Sequence, residues 1–126
     1  MPAALIRILI AVALLIPVFA AAENGGLPSE SRPPDRVIRL VAERFTFVPS
    51  RIKLKLGEVV ELRIRSLDTD HGFRLQGTDV NVVIPKRGRG EVRVLFRAQR
   101  KGVFPFFCSK ACGAGHTIMR GRIIVE

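Results

Sequence analysis

Phe106-Phe107-Cys108-Ser109-Lys110-Ala111-Cys112-Gly113-Ala114-Gly115-His116-Thr117-Ile118-Met119 is the stretch on which the reading of this chain turns. It holds both cysteines, one of the two histidines and one of the two methionines, the other methionine being the initiator. Apart from His71, every soft metal-binding side chain therefore falls between Cys108 and Met119. Thiolate, imidazole and thioether together form the donor set that selects copper over hard cations. Cys112 follows Cys108 by four positions, His116 follows by four more, and Met119 by three, so one tight loop can aim four side chains at a common point. Two other readings use the same residues. The cysteines of an exported chain commonly form a disulfide, and a C-x-x-x-C spacing can close one. A single copper could instead take Cys112, His116, Met119 and His71, leaving Cys108 a bystander.

The run from Cys108 to Met119 resembles the binuclear copper A (CuA) loop of subunit II of the heme-copper oxidases, a loop also found in nitrous oxide reductase. That motif reads C-x-E-x-C-G-x-x-H-x-x-M and is preceded by a distant histidine opening an H-x-F-like strand. Here the distant residue is His71, in Asp70-His71-Gly72-Phe73-Arg74-Leu75. The resemblance covers residues 45–126 and is specific, because it fills every ligand position of the motif at once. It implies an all-β, cupredoxin-type Greek-key sandwich with its metal loop at one end. It also implies two copper ions bridged by the thiolates of Cys108 and Cys112. His71 and His116 would be terminal imidazole ligands, Met119 a weak axial thioether, and the backbone carbonyl of Lys110 a further ligand. The family often has glutamate at the position of Lys110; a main-chain ligand tolerates lysine, but a nearby negative charge becomes positive.

The activity implied by the resemblance is the passage of single electrons. The donor would be a redox protein such as a c-type cytochrome, and the acceptor an oxidase or reductase. No Ser-His-Asp arrangement, paired-carboxylate site or phosphate loop argues for catalysis by this chain alone. Two features depart from the family pattern. The chain has no Trp and no Tyr, whereas subunit II commonly has an aromatic cluster where cytochrome c delivers electrons, and the sequence shows no two-helix membrane hairpin. A periplasmic copper carrier, a mononuclear cupredoxin outside any oxidase, and a metal-free stapled binding module are the alternatives.

Working outward from the loop, 126 residues leave room for one domain once the ends are set aside. Residues 1–22 carry Arg7, an apolar run from Ile8 to Phe19, and Ala20-Ala21-Ala22, which fits an A-x-A cleavage site. The run is interrupted by Pro17 and is shorter than the ~20 residues of a spanning helix. A signal peptide is the expectation and a retained membrane anchor the alternative. Either way the domain is exported, to the periplasm or the outer face of the cytoplasmic membrane. Residues 23–35, rich in Gly, Pro and Ser, read as a flexible linker before a copper-binding domain at 36–126.

The formal charge is +10, and loss of residues 1–22 removes only Arg7 and leaves +9. Such a balance favours acidic partners or anionic membrane. Nucleic acid is excluded, since no groove-reading motif appears in an exported chain. Lys86, Arg87, Arg89, Arg100 and Lys101 fall in two predicted turns, so an acidic electron donor is expected to outpace a basic one at low salt.

Alternation with a period of two runs through the domain. Val37–Ala42 reads as a first strand, and Arg44–Pro49 as its extended continuation with Phe45 and Phe47 on one face. Ile52, Leu54 and Leu56 alternate with cations, as do Val60, Leu62 and Ile64 with charged residues; with Gly57-Glu58 between them, these two stretches predict a hairpin. Ser66–Asp70 is a polar loop whose Asp68 and Asp70 either orient His71 or cap the turn. Further strands are expected at 72–75, 80–84, 92–97, 103–107 and 121–125, with Phe104, Phe106 and Phe107 packing in the core and around the metal. Seven or eight short strands without a convincing helix define a β-sandwich.

Overall fold

The computed structural model describes residues 32–126; the predicted leader and most of the predicted linker lie outside them. Nine strands carry the alternation into two layers: β1 (Arg36–Glu43), β2 (Thr46–Val48), β3 (Arg51–Leu54), β4 (Val59–Ser66), β5 (His71–Leu75), β6 (Asn81–Ile84), β7 (Glu91–Arg97), β8 (Gly102–Phe107) and β9 (Arg120–Val125). One sheet has the order β2-β1-β4-β7 and the other β3-β9-β8-β5-β6. The only helical element among the described residues is a 3-10 turn at His116–Ile118. No helix among them is long and apolar enough to cross a membrane.

The inward residues of the two sheets meet face to face. Leu40, Leu62, Ile64, Val94 and Phe96 come from the first sheet, and Ile52, Leu54, Phe73, Leu75, Phe106 and Ile123 from the second, all buried in one cluster. Phe47, Phe73 and Phe106 stack at the centre, with ring centroids 5.1–5.9 Å apart. Edge-to-face rings of this kind add to the gain from area burial. Phe106→Ala is expected to cost about 3–5 kcal/mol of stability in urea unfolding, because the cavity lies between two rigid layers. A cost below about 1 kcal/mol would mean that the layers collapse around it.

Three expectations fail. The stretches around Gly57 form no hairpin: β3 pairs in parallel with β9, whereas β4 pairs with β1 and β7 in the opposite sheet. Ile52 and Leu62 are both buried in the core, but they come from opposite sheets rather than from one ladder. Alternation tells which face is buried, not which strand is the neighbour. Nor is Arg44–Pro49 continuous strand. Glu43 pairs with Thr46, so Arg44 and Phe45 are the tip of a tight hairpin between β1 and β2. No Gly, Asn or Asp marked that turn, and its stability comes from contacts elsewhere in the chain. Phe107 is likewise not core: it is half-buried on the outer face of β8, opposite Arg120 and Arg74.

The strand directions gather four connections at one end. β1 and β4 run in parallel and finish together, β7 starts there, and β5 begins beside the end of β6. The hairpin tip at 44–45, the 66–70 loop, the 85–90 turn and the 108–119 loop therefore meet. Of the two basic turns, Lys86-Arg87-Gly88-Arg89 is at this end, where the Arg87 N–H donates to the Asp68 carbonyl at 3.0 Å. Arg100-Lys101 lies at the other end, beside the turn where Ala98 and Glu58 are hydrogen-bonded.

Candidate metal centre

His71 opens β5 and points inward, fully buried. Just before it the chain is fixed by Ser66, whose hydroxyl donates to the Thr69 carbonyl at 2.6 Å and accepts the Asp68 N–H at 3.1 Å. That turn sets the Asp68 carboxylate 2.6 Å from His71 Nε2. With Nε2 facing a carboxylate, the other ring nitrogen, Nδ1, keeps its lone pair for the interior. It lies 3.8 Å from Cys108 Sγ. Orientation of His71 thus belongs to Asp68 alone. Asp70 accepts the Lys86 N–H at 2.6 Å and caps its turn.

The other donors come from the loop between β8 and β9. The two sulfurs are 3.6 Å apart, buried and unbonded, so the cysteines are not a disulfide. Cys108 Sγ is 3.1 Å from the carbonyl oxygen of Lys110. Cys112 Sγ is 3.6 Å from His116 Nδ1 and 3.9 Å from Met119 Sδ. All six residues singled out in the sequence therefore converge, with the sulfur pair in the middle. His71, Cys108 and Cys112 place their donor atoms within 4.8 Å of one another, all three buried. The Lys110 side chain itself is exposed, and only its backbone faces the site.

Close backbone approach makes this convergence possible. A Cβ at Gly72 would stand 2.6 Å from Lys110 N and 2.7 Å from Ser109 N, so only glycine lets the loop lie on β5. In that position the Gly72 N–H points at Cys108 Sγ, 3.4 Å away.

Sequence reasoning missed the hairpin tip. The Arg44 guanidinium donates through Nε to the Cys112 carbonyl at 2.7 Å, and its backbone N–H donates to Asp68 Oδ2 at 2.9 Å. One residue thus holds the cysteine loop and the carboxylate behind His71. Phe45 packs beneath the loop, where a Cβ on Gly113 would come within 3.0 Å of its ring. These contacts join residues 24 and 68 positions apart, and the one local hint was a charged residue beside an aromatic in an otherwise alternating strand.

The electrostatics follow from these partners. Burial raises the Asp68 carboxyl, but the Arg44 N–H, the His71 ring and the Thr69 N–H outweigh it and hold the pKa at about 2. A folded-state value below the ordinary ~3.9 means that the ionised carboxylate favours folding above about pH 4, and that this contribution vanishes as pH falls towards 2. Asp35, held low by the Val59 N–H and by Arg32, acts in the same direction from an exposed position. The melting temperature of the metal-free chain should therefore drop between about pH 4 and pH 2, and Asp68→Asn should make that drop shallower. Equal slopes in the two proteins would contradict the assignment. Burial and the neighbouring Cys108 thiol push the Cys112 thiol up to about 11. It is neutral at pH 7, so binding of a metal must displace its proton.

No protein-family model matches the chain. Cytochrome c oxidase subunit 2 of Thermus thermophilus is 31% identical over 97 residues, which are 77% of this chain and 70% of that protein. Against a second Thermus thermophilus sequence of the same name the chain spans 56% of the length. Nitrous-oxide reductase of Ralstonia nicotianae is 33% identical over 93 residues, 71% of this chain but 14% of the reductase. Among solved structures, a heme-copper terminal oxidase dimer contains a chain with 31% identity and a TM-score of 0.65, over 73% of this chain and 65% of that one. The periplasmic domain of cytochrome oxidase subunit II from Bradyrhizobium japonicum shares the fold, with a TM-score of 0.67 at 18% identity, over 75% of this chain and 86% of that one. The chain belongs to the cytochrome c oxidase subunit 2 family, and its folded unit is a cupredoxin domain of the copper A kind.

Proposed function

We propose that this is an exported electron-transfer domain that holds two copper ions. The observation that carries the reading is the convergence of two unbonded thiols with two imidazoles, a thioether and a carbonyl at one end of a rigid sandwich. The donor set fits copper: it is soft, it is buried, and its two sulfurs are near enough to be shared. Cys108, Cys112, His71, His116, Met119 and the Lys110 carbonyl would hold the ions. Bound copper supplies reversible one-electron exchange.

The chain's own residues keep that exchange inexpensive. β5 fixes His71, Asp68 fixes its ring, and Arg44 with Phe45 clamps the loop, so the donor positions barely change with oxidation state. Phe47, Phe73 and Phe106 pack behind the site and limit solvent access. A redox protein such as a c-type cytochrome would serve as donor, and an oxidase or reductase as acceptor, at the outer face of the cytoplasmic membrane.

A redox titration of the copper-loaded chain tests the proposal. One electron per chain should bleach the chromophore, and reoxidation should restore it without loss of metal. A copper carrier would instead surrender its copper to a chelator on reduction, and that outcome would overturn the electron-transfer reading.

A further inference from the structure

The two sheets differ in charge. The strands of the four-stranded sheet set Glu43, Glu61 and Glu91 among six arginines, and two of these glutamates pair with arginines on the same sheet, Glu61 with Arg63 and Glu91 with Arg93. The strands of the five-stranded sheet contain no carboxylate at all, yet Arg51, Lys53, Arg74, Arg120 and Arg122 are exposed on its outer face. Arg51 lies directly across from Arg122, which in turn faces Pro105 on β8. Like charges in register oppose strand pairing; the four-stranded sheet also aligns Arg39, Arg63 and Arg93, but there Glu61 and Glu91 pair with two of them, whereas Arg51 and Arg122 have no acidic partner among the described residues. The ion pair on this face is Lys53 with Glu126, at 3.8 Å and exposed on both sides.

The same face is grooved. A depression of about 530 Å³ runs over Pro105 and Phe107, past Arg120 and Ser109, to Cys108 and His116. A second, of about 470 Å³, continues from Pro105 and Arg120 towards Arg51, Val103 and Arg122. Val103 is 58% exposed. A strip with apolar spots, rimmed by cations and ending at two of the donor residues, has the anatomy of a protein interface.

We infer that the outer face of the five-stranded sheet is the docking surface for an acidic redox protein, and that it delivers that partner's redox group to the Cys108–His116 side of the copper centre. This rests on the electron-transfer reading of the site and adds the side from which the partner arrives: the sheet face, not the loop end that carries Lys86 and Arg87. A flat anionic membrane could satisfy the arginines, but it would leave unexplained the groove that leads from them to His116.

The test uses the full chain and the soluble domain of cytochrome b5, an acidic haem protein, as probe. The double variant Arg51→Glu/Arg122→Glu alters neither the donor residues nor the loop, so its copper spectrum should match the parent. Its stopped-flow reduction by reduced cytochrome b5 at low salt should fall by roughly tenfold or more, with the deficit shrinking as salt rises. Lys86→Glu/Arg87→Glu should change the rate by less than about threefold. Calorimetric binding of cytochrome b5 to the metal-free chain should show the same ranking, so docking is read even if the copper reading fails. A larger loss in Lys86→Glu/Arg87→Glu would move docking to the loop end and overturn the inference. So would unchanged cytochrome b5 kinetics in Arg51→Glu/Arg122→Glu together with lost sedimentation on phosphatidylglycerol vesicles, which would make the face a membrane contact.

Discussion

Cys108→Ser and Cys112→Ser should each abolish the mixed-valence copper chromophore, and neither should leave a partial site of the same colour. Both sulfurs lie at the centre of the donor group, 3.6 Å apart, with the other four donors arranged around them. A serine hydroxyl is a hard donor that stays protonated at neutral pH, so it could not take the place of a thiolate shared by two copper ions, as the proposed site requires. The alternatives predict different outcomes. With a single copper on Cys112 and Cys108 as bystander, Cys108→Ser would retain a blue copper band. Absorption spectra of both variants, beside urea melts of their metal-free forms, separate the cases. Little change in metal-free stability is expected, since no covalent bond is lost.

Gly72→Ala should have the second-largest effect. The added methyl would meet the backbone of Ser109 and Lys110, which cannot swing aside as a flexible side-chain end can. The loop must lift from β5, which separates Cys108 and the Lys110 carbonyl from His71 and weakens the Gly72 N–H contact to sulfur. Copper affinity should fall by about 10–100-fold, the usual cost of disturbing groups that orient metal ligands. Stability of the metal-free chain should fall by only about 1–3 kcal/mol, because the loop is open to solvent on one side. Competition with a copper chelator measures the first quantity and urea unfolding the second. Affinity within twofold of the parent would show that loop and strand are not tightly coupled.

The sites of these two predictions differ in how far the sequence reveals them. Cys108, Cys112, His116 and Met119 stand out because soft donors are so rare elsewhere in the chain. Asp68 was legible as a neighbour of His71, though its choice over Asp70 depended on the Ser66–Thr69 turn. The strands were visible from alternation, which reports burial on one face. Pairing is a different quantity. The β3–β4 hairpin was expected because two alternating runs flanked a glycine turn, and the chain instead crosses there from one sheet to the other. Arg44 was invisible for the same reason: its hydrogen bonds to Cys112 and Asp68 are tertiary, and no local signal specifies them. The charge asymmetry between the sheets also needed the pairing, since the arginines of β3, β5 and β9 gather on one face only after the strands are ordered.

The departure at Lys110 is contained by the geometry. Its carbonyl lies beside the Cys108 sulfur while its side chain is exposed, so the ligand role proposed for that carbonyl does not depend on which side chain stands there. In a chain without Trp or Tyr, the aromatics against the loop are phenylalanines, Phe45 beneath Gly113 and Gly115 and Phe107 beside Cys108 and His116.

Copper content measured together with electron paramagnetic resonance on the oxidised, copper-loaded chain tests the central claim most directly. The account predicts two copper atoms per chain and a hyperfine pattern from one unpaired electron shared equally by two copper nuclei. One copper per chain, with the hyperfine pattern of a single nucleus, would contradict it.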